Sequence, residues 1–210
     1  MNPSEELKRR LAQCPFVAII RGVTPAEVDD IGGALAGAGI AIIEVPLNSP
    51  DPFASIERLS RTLGERVLVG AGTVLTPEDV GRVRDAGGRI IVSPDTNAQV
   101  ISAAAAANLV STPGYFTPSE AFSALRAGAH GLKFFPAEAA TPAVVKAQRA
   151  VIPKHVPLLV VGGVKPDSLQ PWLEAGADGF GLGGGLYKPG QSARETAAKA
   201  DGYVRALKRG

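Results

Sequence analysis

The feature that most constrains the fold is a repeat of eight short apolar runs, each followed by a turn and a longer helical stretch. The runs are rich in Val and Ile, and their starts lie roughly 20 to 30 residues apart, which suits one strand plus one crossover helix. Such alternation is typical of parallel βα units. The predicted strands are 16–20, 41–45, 67–71, 89–93, 109–112, 131–134, 157–161 and 179–182.

Helix boundaries agree with this repeat. Thr-Pro pairs at 24–25, 76–77, 117–118 and 141–142 predict helix starts, and Ala-Gly pairs near 39, 87, 128 and 176 predict helix ends. Further helices are predicted at 3–12 and 193–208. The fold class is therefore α/β, a (β/α)8 TIM barrel with an extra N-terminal helix, in which residues 1–210 form a single domain. An open doubly wound sheet is disfavoured because no Gly-x-Gly-x-x-Gly follows an early strand.

Composition excludes several classes of protein. Hydrophobic residues make up 45% of the chain, but its apolar runs are short and interrupted, so no membrane span is expected. The first ten residues lack the apolar core of a signal peptide, which predicts a cytoplasmic location. A net charge of +2 without a basic stripe, and few aromatic residues, argue against nucleic acid as a partner.

Metal and redox chemistry are also disfavoured. The single Cys14 can form no internal disulfide and is expected to be buried packing. The only two histidines, His130 and His155, are expected on the surface, whereas a catalytic metal needs several converging ligands. No metal and no cofactor are therefore predicted.

Lys133 stands in the apolar run Gly131-Leu132-Lys133-Phe134-Phe135-Pro136, near the end of the sixth predicted strand. In a barrel, the reacting groups lie where strands end. Desolvation by phenylalanine neighbours lowers the pKa of a lysine and leaves free amine that can attack a carbonyl and form a Schiff base. The alternative is a strand-end lysine that reaches water along its own methylenes.

Three other strand ends carry polar side chains. Glu44 ends the second strand, where burial would raise its pKa toward the range of a proton shuttle, although an ion pair with Lys133 or Arg21 is an alternative. Arg21 and Thr73 end the first and third strands and could together clamp a carboxylate, or could serve stability alone.

Glycines follow the last two strands, at Gly162-Gly163 and Gly183-Gly184-Gly185. Their backbone N–H groups can approach an anion closely, and this corner of the barrel commonly binds phosphate. Tight turns are the alternative explanation. The spacing between neighbouring strands, about 4.8 Å, suits a six-carbon phosphosugar acid that spans from Lys133 to these glycines.

Four motifs in order resemble the class I aldolases of the 2-keto-3-deoxy-6-phosphogluconate and 6-phosphogalactonate type. They are Glu44-Val45-Pro46-Leu47-Asn48-Ser49, Gly70-Ala71-Gly72-Thr73-Val74-Leu75, Leu132-Lys133-Phe134-Phe135-Pro136 and Val161-Gly162-Gly163-Val164. The gluconate branch carries arginine in place of Asn48 and threonine in place of Val161, so the galactonate branch is favoured and Val161 becomes a specificity candidate.

The resemblance implies a role for each matching residue. Lys133 would form the imine, Glu44 would move protons, Arg21 and Thr73 would hold the pyruvate carboxylate, and Gly162, Gly183 and Gly184 would bind phosphate. The family often has serine where this chain has Gly184, so one hydroxyl contact to phosphate is missing. The family is also commonly a homotrimer.

Three alternatives stay open at this stage. The substrate could be the gluconate epimer or 4-hydroxy-2-oxoglutarate, cleaved by the same chemistry. The chain could be a phosphosugar-binding barrel without turnover. An isomerase or epimerase would need a second acid or base facing Glu44, and no strand end supplies one.

Overall fold

A computed structural model describes residues 2–207 of the chain. All pairings between its strands are parallel, and the nine strands form one sheet in the order β5-β4-β3-β2-β1-β9-β8-β7-β6. The strands are β1 Phe16–Ile19, β2 Ile42–Pro46, β3 Leu68–Gly72, β4 Ile90–Val92, β5 Val110–Thr112, β6 Gly114–Tyr115, β7 Leu132–Phe134, β8 Leu158–Val161 and β9 Gly179–Leu182.

The two edge strands, β5 and β6, are halves of one strand that is interrupted at Pro113. Proline has no N–H to give to a sheet, so the ladder breaks there. The Pro113 carbonyl still accepts from the N–H of Lys133 at 2.9 Å, and the Ser111 carbonyl accepts from the N–H of His130. These bonds join both halves to β7 and close the barrel. The predicted (β/α)8 barrel is confirmed, with each predicted strand end displaced by at most one residue and with β6 added after Pro113.

Helices follow the strands around the barrel, and one more precedes them. They are α1 Pro3–Gln13, α2 Val28–Gly37, α3 Pro52–Leu63, α4 Pro77–Asp85, α5 Ala98–Ala106, α6 Pro118–Arg126, α7 Pro142–Arg149, α8 Leu169–Glu174 and α9 Ala193–Leu207. In the last helix, the predicted position 208 lies outside the described residues. No described helix is long and apolar enough to span a membrane.

The four Thr-Pro pairs do not all cap a helix. The side chains of Thr76 and Thr117 cap α4 and α6, and Glu120 completes a reciprocal capping box with Thr117. Thr141 precedes α7 without a side-chain capping bond. Thr24 only starts a turn, so α2 begins later than the sequence predicts.

Two apolar layers surround the strands. The inner layer fills the barrel, and α1 contributes Leu7 and Leu11 to it, so this helix closes the end at which the strands begin. The outer layer lies between strands and helices and includes Phe134 and Trp172, whose ring centroids are 6.4 Å apart. Because α1 closes the end at which the strands begin, a binding or active site is expected at the end at which they finish.

Candidate active site

Lys133 and Glu44 both point into the barrel. Side chains alternate along a strand, and the neighbours of Lys133, Leu132 and Phe134, belong to the outer apolar layer. Glu44 follows the same rule, two residues after the inward Ile42. Lys133 is 8% exposed and Glu44 is 2% exposed. The strands therefore hold an amine and a carboxyl group in one nearly dry space.

Burial lowers the pKa of Lys133, the negative charge of Glu44 opposes this, and the positive charge of Arg21 adds to it. The Nζ atom lies 4.7 Å from the centre of the Phe135 ring. Of the two phenylalanines that follow Lys133, Phe135 packs against the amine, whereas Phe134 faces the helices. A lowered pKa increases the fraction of Lys133 present as a free, nucleophilic amine.

Burial raises the pKa of Glu44 to about 7, against the opposing charges of Lys133 and Arg21. Its Oε2 atom has no hydrogen-bond partner within the described part of the chain. The carboxylate packs against the backbone of Gly72, where a Cβ would lie 2.0 Å from Oε2. Among residues 2–207 it forms no ion pair within 4.0 Å, so the ion-pair alternative is not observed. A carboxyl group with a pKa near 7 suits proton transfer at neutral pH.

Arg21 and Thr73 come together at the mouth of the barrel as predicted. The guanidinium Nη1 of Arg21 donates to the Thr73 hydroxyl at 3.4 Å and, more closely, to the side-chain oxygen of Asn48. Thr73 has a φ of 56°, a left-handed conformation in a non-glycine residue. The sequence indicated Asn48 only as a branch marker and did not show its contact with Arg21, because the two residues lie in the turns that follow different strands.

The mouth opens into a cavity of about 440 Å³ that reaches from Lys133 to the glycines after β8 and β9. Gly162, Gly183 and Gly184 all line it. Within the described chain, the N–H groups of these glycines donate to no protein acceptor. Several free N–H groups on one wall of a cavity form a suitable site for an anion.

Gly162, Gly183 and Gly184 together are called the glycine wall below. Val161 lies between the amine of Lys133 and this glycine wall. It is the last residue of β8, is 7% exposed, and lines the cavity beside Lys133 and Gly162. A Cβ at Gly181 would lie 2.7 Å from Val161 Cγ2, so a glycine at 181 makes room for this side chain. The position fits contact with the middle of a bound substrate.

Three further polar residues line the cavity and were not predicted: Glu138, Tyr187 and Lys188. A Cβ at Gly162 would lie 1.8 Å from Glu138 Oε2, so the carboxylate rests on the glycine wall. Tyr187 donates to the Glu27 carboxylate at 2.5 Å and joins the loop after β9 to the start of α2. In the sequence, Glu138 lies shortly after the Lys133 motif, and Tyr187 and Lys188 lie shortly after Gly183-Gly184-Gly185. This nearness does not show in which direction a loop side chain points.

The two histidines lie apart from this site. Nδ1 of His130 accepts from the N–H of Ser111 at 3.1 Å, and burial lowers the pKa of the imidazole. His130 is half-buried and hydrogen-bonded, so the prediction of a solvated surface residue holds for it only in part, whereas His155 is exposed as predicted. Among residues 2–207, no three His, Cys, Asp or Glu side chains are grouped to hold a metal ion.

A parallel barrel with a buried lysine and a buried carboxyl group inside it, beside a cavity wall of glycines with free N–H groups, is the framework of a class I aldolase. The family model for KDPG and KHG aldolases matches residues 7–197. The chain belongs to the KDPG and KHG aldolase family.

The relatives found by comparison point to one branch of this family. A probable 2-dehydro-3-deoxy-6-phosphogalactonate aldolase of Rhizobium meliloti is 47% identical over 89% of this chain and 88% of its own. The 2-dehydro-3-deoxy-6-phosphogalactonate aldolase of Escherichia coli is 43% identical over 92% and 95%. A solved structure described as native KDPGal superposes with a TM-score of 0.92, at 42% identity over 94% and 96% of the two chains.

Proposed function

We propose that the chain is a Schiff-base aldolase that cleaves 2-dehydro-3-deoxy-6-phosphogalactonate to pyruvate and glyceraldehyde 3-phosphate, using one domain that comprises residues 1–210. The observation that carries the proposal is the pairing of Lys133, whose pKa is lowered, with Glu44, whose pKa is raised to about 7, inside one barrel. The 2-dehydro-3-deoxy-6-phosphogalactonate aldolases among the relatives support the choice of substrate.

The reaction begins when the free amine of Lys133 attacks the C2 ketone. Glu44 in its acid form gives a proton to the hydroxyl of the resulting carbinolamine, and loss of water then leaves a protonated imine, which serves as an electron sink, and a Glu44 carboxylate. Glu44 then takes the proton of the C4 hydroxyl through a water molecule while the C3–C4 bond breaks and its electrons form an enamine. Glyceraldehyde 3-phosphate leaves, C3 takes up a proton, and hydrolysis of the imine releases pyruvate and the amine.

The remaining site residues bind and orient the substrate. Arg21 and Thr73 hold the carboxylate of the pyruvate half, because a guanidinium and a hydroxyl lie side by side at the mouth. Gly162, Gly183 and Gly184 bind the phosphate through their N–H groups. Val161 stands between these two ends and contacts the substrate near C4, where the two epimers differ.

Trapping the imine tests the mechanism. Borohydride reduction in the presence of pyruvate should add a pyruvate-derived mass to the peptide that contains Lys133, and Lys133→Met should show neither adduct nor pyruvate release. Lys146→Met, in α7, is a matched control that keeps both. Turnover by a chain whose Lys133 stays unmodified would refute the mechanism.

Substrate choice needs a separate measurement. We expect kcat/KM to be highest for the galactonate substrate when it is compared with the gluconate epimer and 4-hydroxy-2-oxoglutarate. A higher value for either competitor would assign the chain to the other branch. A phosphosugar-binding barrel without turnover would release no pyruvate from any of the three.

The assembly and the location of the protein complete the proposal. A homotrimer is expected from the family resemblance, and light scattering coupled to size exclusion should give three times the 21.6 kDa chain mass. A cytoplasmic location suits a substrate with two anionic groups, which does not cross membranes unaided. Cell fractionation would test the location.

A further inference from the structure

A second, much smaller chamber lies deeper in the barrel and shares Lys133 with the cavity at the mouth. Its polar walls are Lys133, Glu44 and Thr112. The other walls are apolar or glycine: Val17, Ile19, Val92, Leu159, Val161 and Gly181. The amine of Lys133 therefore lies between a wide space that can admit a substrate and a narrow space behind it.

Thr112 brings an unexplained hydroxyl to this chamber. It ends β5, two residues after Val110 of the inner layer, so the alternation of the strand turns it inward. The residue is fully buried, and its Oγ1 atom has no hydrogen-bond partner in the described part of the chain, as is true of Glu44 Oε2. Buried polar atoms are nearly always hydrogen-bonded, either to protein or to ordered water.

The chamber has the size and polarity of a site for one water molecule. It leaves about 10 Å³ for the centre of a water, which is close to the smallest space that can hold one. A buried water typically makes about three hydrogen bonds. Glu44 Oε2, Thr112 Oγ1 and Lys133 Nζ supply that number, and the apolar walls supply no competitor.

We propose that Thr112 and Glu44 hold one water molecule beside Lys133, and that this water carries a proton between Lys133 and Glu44. The inference rests on the proposed function. Lys133 and Glu44 form no ion pair within 4.0 Å, so a bridging water supplies the route for the proton. The ammonium gives a proton to the water as the water gives one of its own to Glu44 Oε2, which leaves a free amine, a carboxylic acid and a regenerated water.

Thr112 is a positioning residue in this scheme, because it lines the inner chamber and not the cavity that admits the substrate. Two variants test the effect of the Thr112 hydroxyl separately from the effect of the side-chain volume. Thr112→Val keeps the volume and removes the hydroxyl, whereas Thr112→Ser keeps the hydroxyl. We expect Thr112→Val to lower kcat for the galactonate substrate about tenfold with KM within about twofold, and Thr112→Ser to recover most of the rate.

A crystal structure of the intact chain at high resolution completes the test, with density expected for one water in hydrogen-bond contact with Thr112 Oγ1 and Glu44 Oε2. Lack of that density, or an unchanged kcat in Thr112→Val, would overturn the inference. A raised urea midpoint in Thr112→Val would also overturn the inference, because removal of a buried hydroxyl stabilises the protein only if that hydroxyl has no hydrogen-bond partner. Failure of the proposed function looks different, since the intact chain itself would then release no pyruvate and form no borohydride adduct.

Discussion

Replacing Glu44 with glutamine should make the protein more stable at pH 8 than the intact chain, with little difference at low pH. Burial holds the pKa of Glu44 at about 7 in the folded protein, above its ordinary value of 4.5. Between these two values the folded state keeps a proton that the unfolded state has lost. Rising pH therefore lowers the free energy of unfolding through this window, and the loss is complete above the folded pKa.

The size of the effect follows from the same pKa values. A pKa difference of one corresponds to about 1.4 kcal/mol, so the rise from 4.5 to about 7 sets a ceiling of about 3 kcal/mol. The charge of Glu44 also favours the Lys133 ammonium, and the glutamine variant loses that attraction. We therefore expect Glu44→Gln to gain about 2 kcal/mol, relative to the intact chain, between pH 5 and pH 8.

Urea unfolding at the two pH values, at one protein concentration, measures this gain. The matched control is Glu174→Gln, which makes the same substitution at an exposed position of α8. In a Lys133→Met background the gain should be larger, because the opposing charge is gone. A gain for Glu44→Gln that is equal at pH 5 and pH 8 would refute the claim that Glu44 is held with a raised pKa.

Three further predictions concern the mouth of the barrel. A Cβ at Gly184 meets nothing within 4 Å, so Gly184→Ser should fold normally. The new hydroxyl can donate one hydrogen bond to the phosphate, which should lower KM for the phosphorylated substrate about fivefold. An unchanged KM would argue against a phosphate at this position. Gly72→Ala should displace the Glu44 carboxylate and lower kcat for pyruvate release at least about tenfold, whereas retained kcat would remove Glu44 from the proton path. Tyr187→Phe should lower the free energy of unfolding, measured in urea, by about 1 kcal/mol because the hydrogen bond to Glu27 is lost. Equal stability of the two proteins would show that this hydrogen bond contributes nothing.

The strand pattern made the main site residues predictable. Apolar runs locate the strand ends, and a charged residue at an inward strand end has little structural reason to be there. Lys133 and Glu44 were found in this way, and the structure places both inside the barrel. Arg21 and Thr73 followed from the same rule, although the sequence could not show that Asn48 joins them.

Other features depend on register and loop conformation, which local sequence does not specify. Thr112 lies at a predicted strand end, yet local sequence does not show that its side chain shares a chamber with Lys133 and Glu44, because these three residues belong to different strands. Glu138 reaches the glycine wall because the chain turns sharply after β7 into a short 3₁₀ turn, Ala137–Ala139. The bond that His130 accepts from Ser111 joins residues 19 positions apart in the chain, so local sequence does not show it.

In the proposed mechanism, Arg21 couples substrate binding to the protonation of Glu44. Its positive charge lowers the pKa of Glu44 and also lowers the pKa of Lys133. Before binding, this favours the free amine that the first step needs. A substrate carboxylate bound at Arg21 would neutralise that charge, so the pKa of Glu44 would rise further and the carboxylate would become a stronger base as the imine forms. The residue that recognises the substrate would thereby prepare Glu44 for the cleavage step.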